Sequence, residues 1–116
     1  MLMIKNGKIM LTRGDSAYIT VTLKAQDGAA YTMQAGDKLT LTVRKQAIDT
    51  SSVLLQSVSD TDTIKLAPEQ TKTLASGSYS YDIQLTTVAG DVFTVAGATS
   101  TNNNLSNFVV LPEVTV

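Results

Sequence analysis

The chain has 116 residues with a formal net charge of −1, 43% hydrophobic and 16% charged residues, and no Cys, His or Trp. That length suits one domain spanning residues 1–116, large enough to bury a core without disulfides or metals. Without His or Cys, the usual neutral-pH general base, the thiolate nucleophile and the commonest zinc ligands are absent, so the expectation is a non-enzyme with no cofactor and no metal.

Near-balanced charge lacks the cationic footprint that neutralises phosphates, which argues against nucleic acid as a partner. The longest purely apolar run, Phe108-Val109-Val110-Leu111, is far short of the roughly 20 residues of a spanning helix, so no membrane insertion is expected. The start, Met1 to Lys8, reads without a signal peptide, which places synthesis in a cytoplasm. Absence of Cys leaves the redox compartment open. The 17 Thr and 10 Ser make the surface polar through hydroxyls, and Thr at alternate positions suits a half-solvated sheet.

In chain order, Ile9 to Thr12 reads as a short strand after an Asn6-Gly7 turn signal, with Lys5 and Lys8 meeting as like charges if that turn closes a hairpin. Period-two alternation is clear in Ala17 to Leu23, where residues 17, 19, 21 and 23 share a face, and in Leu39 to Arg44, where 39, 41 and 43 do. Ala30 to Met33, Val53 to Val58 and Thr63 to Leu66 are weaker strand candidates. Pro68 to Leu74 is the one helix-like piece, with Pro at a permitted first position and Gly77 beyond its end.

The strongest strand is Tyr79 to Leu85, with Tyr79, Tyr81, Ile83 and Leu85 facing the core and Ser80, Asp82 and Gln84 opposite. Tyr79 or Tyr81 is expected to bond back to the preceding segment, as the corner tyrosine of immunoglobulin-like folds does. Val92 to Ala96 and Phe108 to Val116 follow, the latter interrupted by Pro112, which suits an edge or a bend. Gly14-Asp15, Asp27-Gly28, Gly36-Asp37, Gly77 and Gly90-Asp91 punctuate these runs, and many short strands with regular turns point to an all-β sandwich or barrel.

Arg13-Gly14-Asp15 is the tripeptide read by integrins, but before a strand it reads as a turn. Asp60-Thr61-Asp62 lacks the Gly and the later bidentate Glu of a calcium loop. Nothing in the spacing brings Asp82 and Glu69 together as an acid–base pair. The sequon Asn104-Leu105-Ser106 is set aside with the absent leader. Gly14-Asp15 and Gly36-Asp37 recur with similar strands behind them, but no third copy follows, so they are two strands with one start signal. Gly97 to Asn107, containing Asn102, Asn103 and Asn104, is the longest stretch without a strand pattern and a candidate interface. Three of the four Met lie in the first ten residues, on an N-terminal arm that could add as a strand to a neighbouring subunit.

Leu11-Thr12-Arg13-Gly14-Asp15-Ser16, Ile19-x-Val21, Gly36-Asp37-x-Leu39-x-Leu41-x-Val43-Arg44-Lys45, Ile64-x-Leu66-x-Pro68-x-Gln70-Thr71, Leu74-x-x-Gly77-x-Tyr79-x-Tyr81-Asp82-Ile83-Gln84-Leu85 and a closing Pro112-Glu113-Val114-Thr115 run through nearly the whole chain. Together they resemble small proteins encoded among the tail genes of phages and prophages of Gram-positive bacteria. The resemblance is more distant to N-terminal domains of upper-baseplate proteins, which begin with a Gly-Asp turn before an alternating strand.

The resemblance implies an immunoglobulin-like antiparallel β-sandwich of about 7–9 strands, with one short helical turn near 68–74. It implies a virion structural protein of the tail or baseplate, docking on other tail or baseplate proteins, with a homo-oligomer expected in the assembly. It offers no catalytic residues. Candidate interface residues are Asn102, Asn103, Asn104, Pro112, Tyr18 and Tyr31. The alternative is a carbohydrate-binding or adhesin-type sandwich recognising the host surface, for which Tyr18 and Tyr31 are the aromatic platforms left outside the core.

Overall fold

The computed structural model describes residues 2–5, 8–23, 29–45, 52–97 and 108–112, with side chains described for 9–23, 29–45, 52–94 and 108–112. Alternation becomes strand wherever a hydrophobic face can be buried. The strands are β1 (Leu2–Lys5), β2 (Lys8–Thr12), β3 (Ala17–Thr20), β4 (Lys38–Arg44), β5 (Val53–Ser59), β6 (Thr63–Leu66), β7 (Gly77–Thr86), β8 (Val92–Gly97) and β9 (Phe108–Leu111), with one helix, α1 (Pro68–Lys72), before β7.

The fold is all-β and arranged as a sandwich. One 7-stranded sheet runs β1-β2-β9-β7-β4-β5 with β8 also on β7, and a 2-stranded sheet pairs β3 with β6. Inward residues of both sheets form one core, including Ile9, Ile19, Leu41, Ile64, Ile83 and Phe108. Burying each such side chain contributes about 1.5–3 kcal/mol against chain entropy. Phe108 meets Tyr81 edge-on at 6.2 Å between ring centroids, a geometry that aromatic quadrupoles favour.

Several details differ from the sequence expectation. The sheets are not wholly antiparallel, because β2 pairs with β9 in parallel, Ile9 opposite Phe108 and Thr12 opposite Leu111. The N-terminal arm is not extended toward a neighbour: β1 folds back antiparallel on β2, with Lys5 in register with Lys8, while Asn6-Gly7 lies outside the described residues, as does Asp27-Gly28. Residues 31–34 carry no strand; their polar groups are used in a turn described below. The strand at 17–23 leaves the ladder after Thr20, although Val21 still donates to the Asp62 carbonyl at 2.8 Å and Val21 and Leu23 remain buried. Ser80, opposite Arg44 of β4, is buried although it faces away from the core.

Two polar seams join the layers. Ser57 and Ser59, on the inward face of β5, donate their hydroxyls to the β6 carbonyls of Lys65 (3.1 Å) and Thr63 (2.7 Å). The Tyr79 hydroxyl donates to the Ala75 carbonyl at 2.6 Å, tying the start of β7 to the segment after α1, so Tyr79 makes the expected bond back to the preceding segment. In α1, Pro68 occupies the first turn and the Gln70 side-chain oxygen accepts the Ala67 N–H at 2.8 Å. The helix ends at Lys72, short of the expected Leu74.

Candidate docking surface

The first element of the surface is a turn. Asp37 N–H donates to the Gln34 carbonyl at 3.0 Å, closing a turn whose third residue, Gly36, has φ +94°, as a type II turn requires. A Cβ at Gly36 would stand 2.8 Å from Val88 Cγ2, so glycine is demanded both by backbone geometry and by the close approach of another loop.

That other loop is bound through Asp37, whose residue is 1% exposed. Its Oδ2 accepts the Tyr31 hydroxyl at 2.5 Å and the Gln34 N–H at 2.9 Å, and its Oδ1 accepts the Val88 N–H at 2.9 Å. These donors hold the Asp37 carboxyl below its ordinary value, the Tyr31 hydroxyl first, then the two amides, against the opposing effect of desolvation. The same bond raises the Tyr31 phenol.

The captured loop joins β7 to β8. Gly90 N–H donates to the Thr87 carbonyl (2.9 Å), Thr87 N–H to the Asp91 carbonyl (2.8 Å), and Gly90 takes φ +96°. Val88-Ala89-Gly90 is thus a three-residue hairpin loop of the kind that ends on a left-handed residue. It carries apolar side chains into solvent: Val88 is 68%, Val92 56% and Phe93 54% exposed. Phe93 pairs with the buried Leu85, yet its own ring is uncovered. A buried carboxylate therefore braces a loop beside an exposed Val-Val-Phe tip.

A second apolar strip lies on β5, where Val58 is 60% exposed and Val53 and Leu54 are also exposed. β5 is the terminal strand of the large sheet. Its ladder with β4 slips between Val43 and Arg44, which pair with Leu55 and Val53 and leave Leu54 as the extra residue.

Of the six residues singled out from sequence, Tyr18, Tyr31 and Pro112 lie among the described residues, on β3, in the segment ahead of β4 and just past β9. Tyr18 is 58% exposed on β3, with the Lys65 ammonium 5.8 Å from its ring centroid. Tyr31 is half-buried and its hydroxyl is committed to Asp37, so it braces a loop instead of offering a sugar platform. Pro112 is exposed just past β9. Asn102, Asn103 and Asn104 lie outside the described residues; the strands flanking their segment end with Gly97 opposite Asp82 and begin again with Phe108 opposite Tyr79.

Arg13-Gly14-Asp15 forms the expected turn, with Asp15 N–H on the Thr12 carbonyl at 3.1 Å. Glu69 sits on α1, whereas Asp82 lies on β7, its carboxyl raised by burial with Arg44 drawing it partly back. Among the described residues no three His, Cys, Asp or Glu side chains gather as a metal site, and no helix is long and apolar enough to cross a membrane. Sequence reading missed Val88, Val92, Phe93 and Asp37 as site residues. The available signal was Gly90-Asp91 followed by an apolar pair, which marks a hairpin without telling which of its faces is left uncovered.

No protein-family model, curated protein or solved structure matches the chain.

Proposed function

We propose that this chain is a non-enzymatic virion structural protein, a phage or prophage tail or baseplate component that acts by docking on other proteins of that assembly. The observation that carries the reading is the exposed Val88, Val92 and Phe93 tip, whose loop is held by the buried Asp37. A pre-organised apolar projection is what a docking element needs, since ordering it beforehand removes an entropic cost of association. Three large apolar side chains left exposed within six residues of one hairpin support an interaction role more than apolar residues scattered singly would.

An immunoglobulin-like reading is supported by the strand order, with β3–β6 as the B–E pair, β4, β7 and β9 as C, F and G, and β5 as the added C′ strand. The Tyr79 hydroxyl on Ala75 supports it as well.

The test is mass spectrometry of gradient-purified particles after prophage induction in the source strain. The chain at a fixed copy number per particle is the expected result; its absence from intact particles overturns the reading.

The second reading, a carbohydrate-binding or adhesin-type module, rests on the exposed ring of Tyr18. It requires saturable binding on a glycan array that Tyr18→Ala abolishes.

A further inference from the structure

We propose that copies of this chain associate head to tail, the β8 edge of one copy pairing antiparallel with the β5 edge of the next, so that the large sheet continues from copy to copy. This deepens the docking reading by naming one partner, a second copy, and is tested apart from it.

Among the described residues, the stretch β8-β7-β4-β5 has β8 and β5 at its two ends with every neighbouring pair antiparallel; β8 shares its side of β7 with β9, β8 pairing at Asp82–Thr86 and β9 at Gly77–Tyr79. Because the strand number in this stretch is even, β8 and β5 run in opposite senses. A second copy carried along the sheet by translation, or by rotation about an axis parallel to the strands, therefore presents β5 antiparallel to the first copy's β8. Such heterologous contacts close into rings when the rotation allows and otherwise extend as filaments.

Composition points the same way. Of the devices that blunt edge strands, charge and proline are absent from VLLQSVS on β5 and VFTVAG on β8, and a bulge is present on each, which confines pairing to the regular part of the ladder. The charges of this stretch, Lys38, Arg44 and Asp82, are on the inner strands β4 and β7. Both edges also expose large apolar side chains, Leu54 and Val58 on one and Val92 and Phe93 on the other. Each strand has a register shift against its inner neighbour, beside Leu54 on β5 and between the Ala96 and Thr94 pairings on β8. The regular ladder available for pairing is thus Leu55–Ser59 against Val92–Thr94. A two-fold β5–β5 contact would leave Val92 and Phe93 in water, whereas the head-to-tail contact covers both strips in every interior copy.

The experiment is sedimentation velocity from micromolar to millimolar protein. Wild type gives a rising series of masses. Val58→Lys and Val92→Lys, each with an unchanged thermal melt, give monomers, because a charge at the edge blocks pairing. An equimolar mixture of the two gives a 1:1 dimer and nothing larger, since each variant keeps one intact edge. Val58→Thr and Val92→Thr, which keep a β-branched side chain, weaken the association in the same pattern.

A wild type that stays monomeric throughout overturns the proposal, as do single Lys variants that assemble like wild type. A mixture that stays monomeric overturns it too, and a Val92→Lys that still dimerises while Val58→Lys does not overturns it in favour of a two-fold β5–β5 contact. Absence of the chain from particles overturns the virion reading and leaves this result standing; a monomer found in particles does the reverse.

Discussion

Two turns in this molecule carry the same Gly-Asp signal before a strand and are secured in opposite ways. At Arg13-Gly14-Asp15 the turn is held from outside: the Gly14 N–H is captured at 2.9 Å by the hydroxyl of Thr71, a fully buried residue of α1. At Ala35-Gly36-Asp37 the turn is held by its own carboxylate, which also reaches across to Val88. Both glycines have positive φ, +82° and +94°. The dipeptide therefore sets backbone geometry in both places, but what the turn does depends on its surroundings: Asp37 is 1% exposed and bridges to a second loop, whereas Asp15 is only partly buried. The first anchors a helix to the β2–β3 connection. The second connects the chain ahead of β4 to the β7–β8 loop and so shapes the surface.

The most severe way to break the comparison is Asp37→Ala, which leaves the Tyr31 hydroxyl and the Gln34 and Val88 amides without their acceptor. It is expected to give the largest drop in melting temperature among the turn variants and to loosen the β7–β8 loop. A drop no larger than that of Thr71→Val would contradict the ranking. The effect has a pH signature. Because the folded carboxyl is held below its ordinary value of 3.8, its stabilisation is fully present above the unfolded value and is lost as pH falls through the folded one. Asp82, raised by burial, works in the opposite sense, so the comparison to make is wild type against Asp37→Asn. Denaturant titrations should show the gap between them narrowing below the ordinary carboxylate range, and a gap independent of pH would contradict the assignment.

Gly36→Ala is the next largest expected effect. It combines a left-handed conformation with a Cβ 2.8 Å from Val88 Cγ2, for about 1–3 kcal/mol of destabilisation, readable from a urea midpoint.

At the other turn, Thr71→Val keeps the shape and removes the acceptor of the Gly14 N–H, at a cost of about 1 kcal/mol, with no change in exchange at the β7–β8 loop. Coupling to that loop would mean the two turns are not independent.

Tyr31→Phe is expected to be the mildest of the four, since Asp37 keeps both backbone donors. Its urea midpoint should fall less than that of Thr71→Val, and a larger fall would place Tyr31 at the centre of the network.

Much of the fold was legible because burial enforces period two. β4 and β7 lie where Leu39-x-Leu41-x-Val43 and Tyr79-x-Tyr81-x-Ile83-x-Leu85 place them, extended at their ends, and β6 was legible to the residue. What failed depended on distant partners. The parallel β2–β9 pairing joins segments about a hundred residues apart, a contact that local alternation does not encode. β1, Leu-Met-Ile-Lys, has no alternation and is a strand because β2 offers it an edge. Ala30 to Met33 looked like a strand, yet only Ala30 makes a bridge; the Tyr31 N–H goes to the Leu23 carbonyl and its hydroxyl to Asp37.

The site was less legible for the same reason. Alternation identifies Val92 and Phe93 as strand residues, but whether they are covered depends on which strands stand beside β7. Tyr18 was placed outside the core by its position between Ala17 and Ile19, and there the structure agrees.

The most direct test of the bracing at the centre of this account is amide hydrogen exchange at Val88, resolved by NMR in wild type and in Asp37→Asn. Slow exchange is expected at Val88 within an otherwise exposed loop, with more than tenfold acceleration in the variant, since about 1.4 kcal/mol of lost protection is a factor of ten. Exchange at Val88 as fast as at Ala89 in wild type, or unchanged in Asp37→Asn, would contradict it.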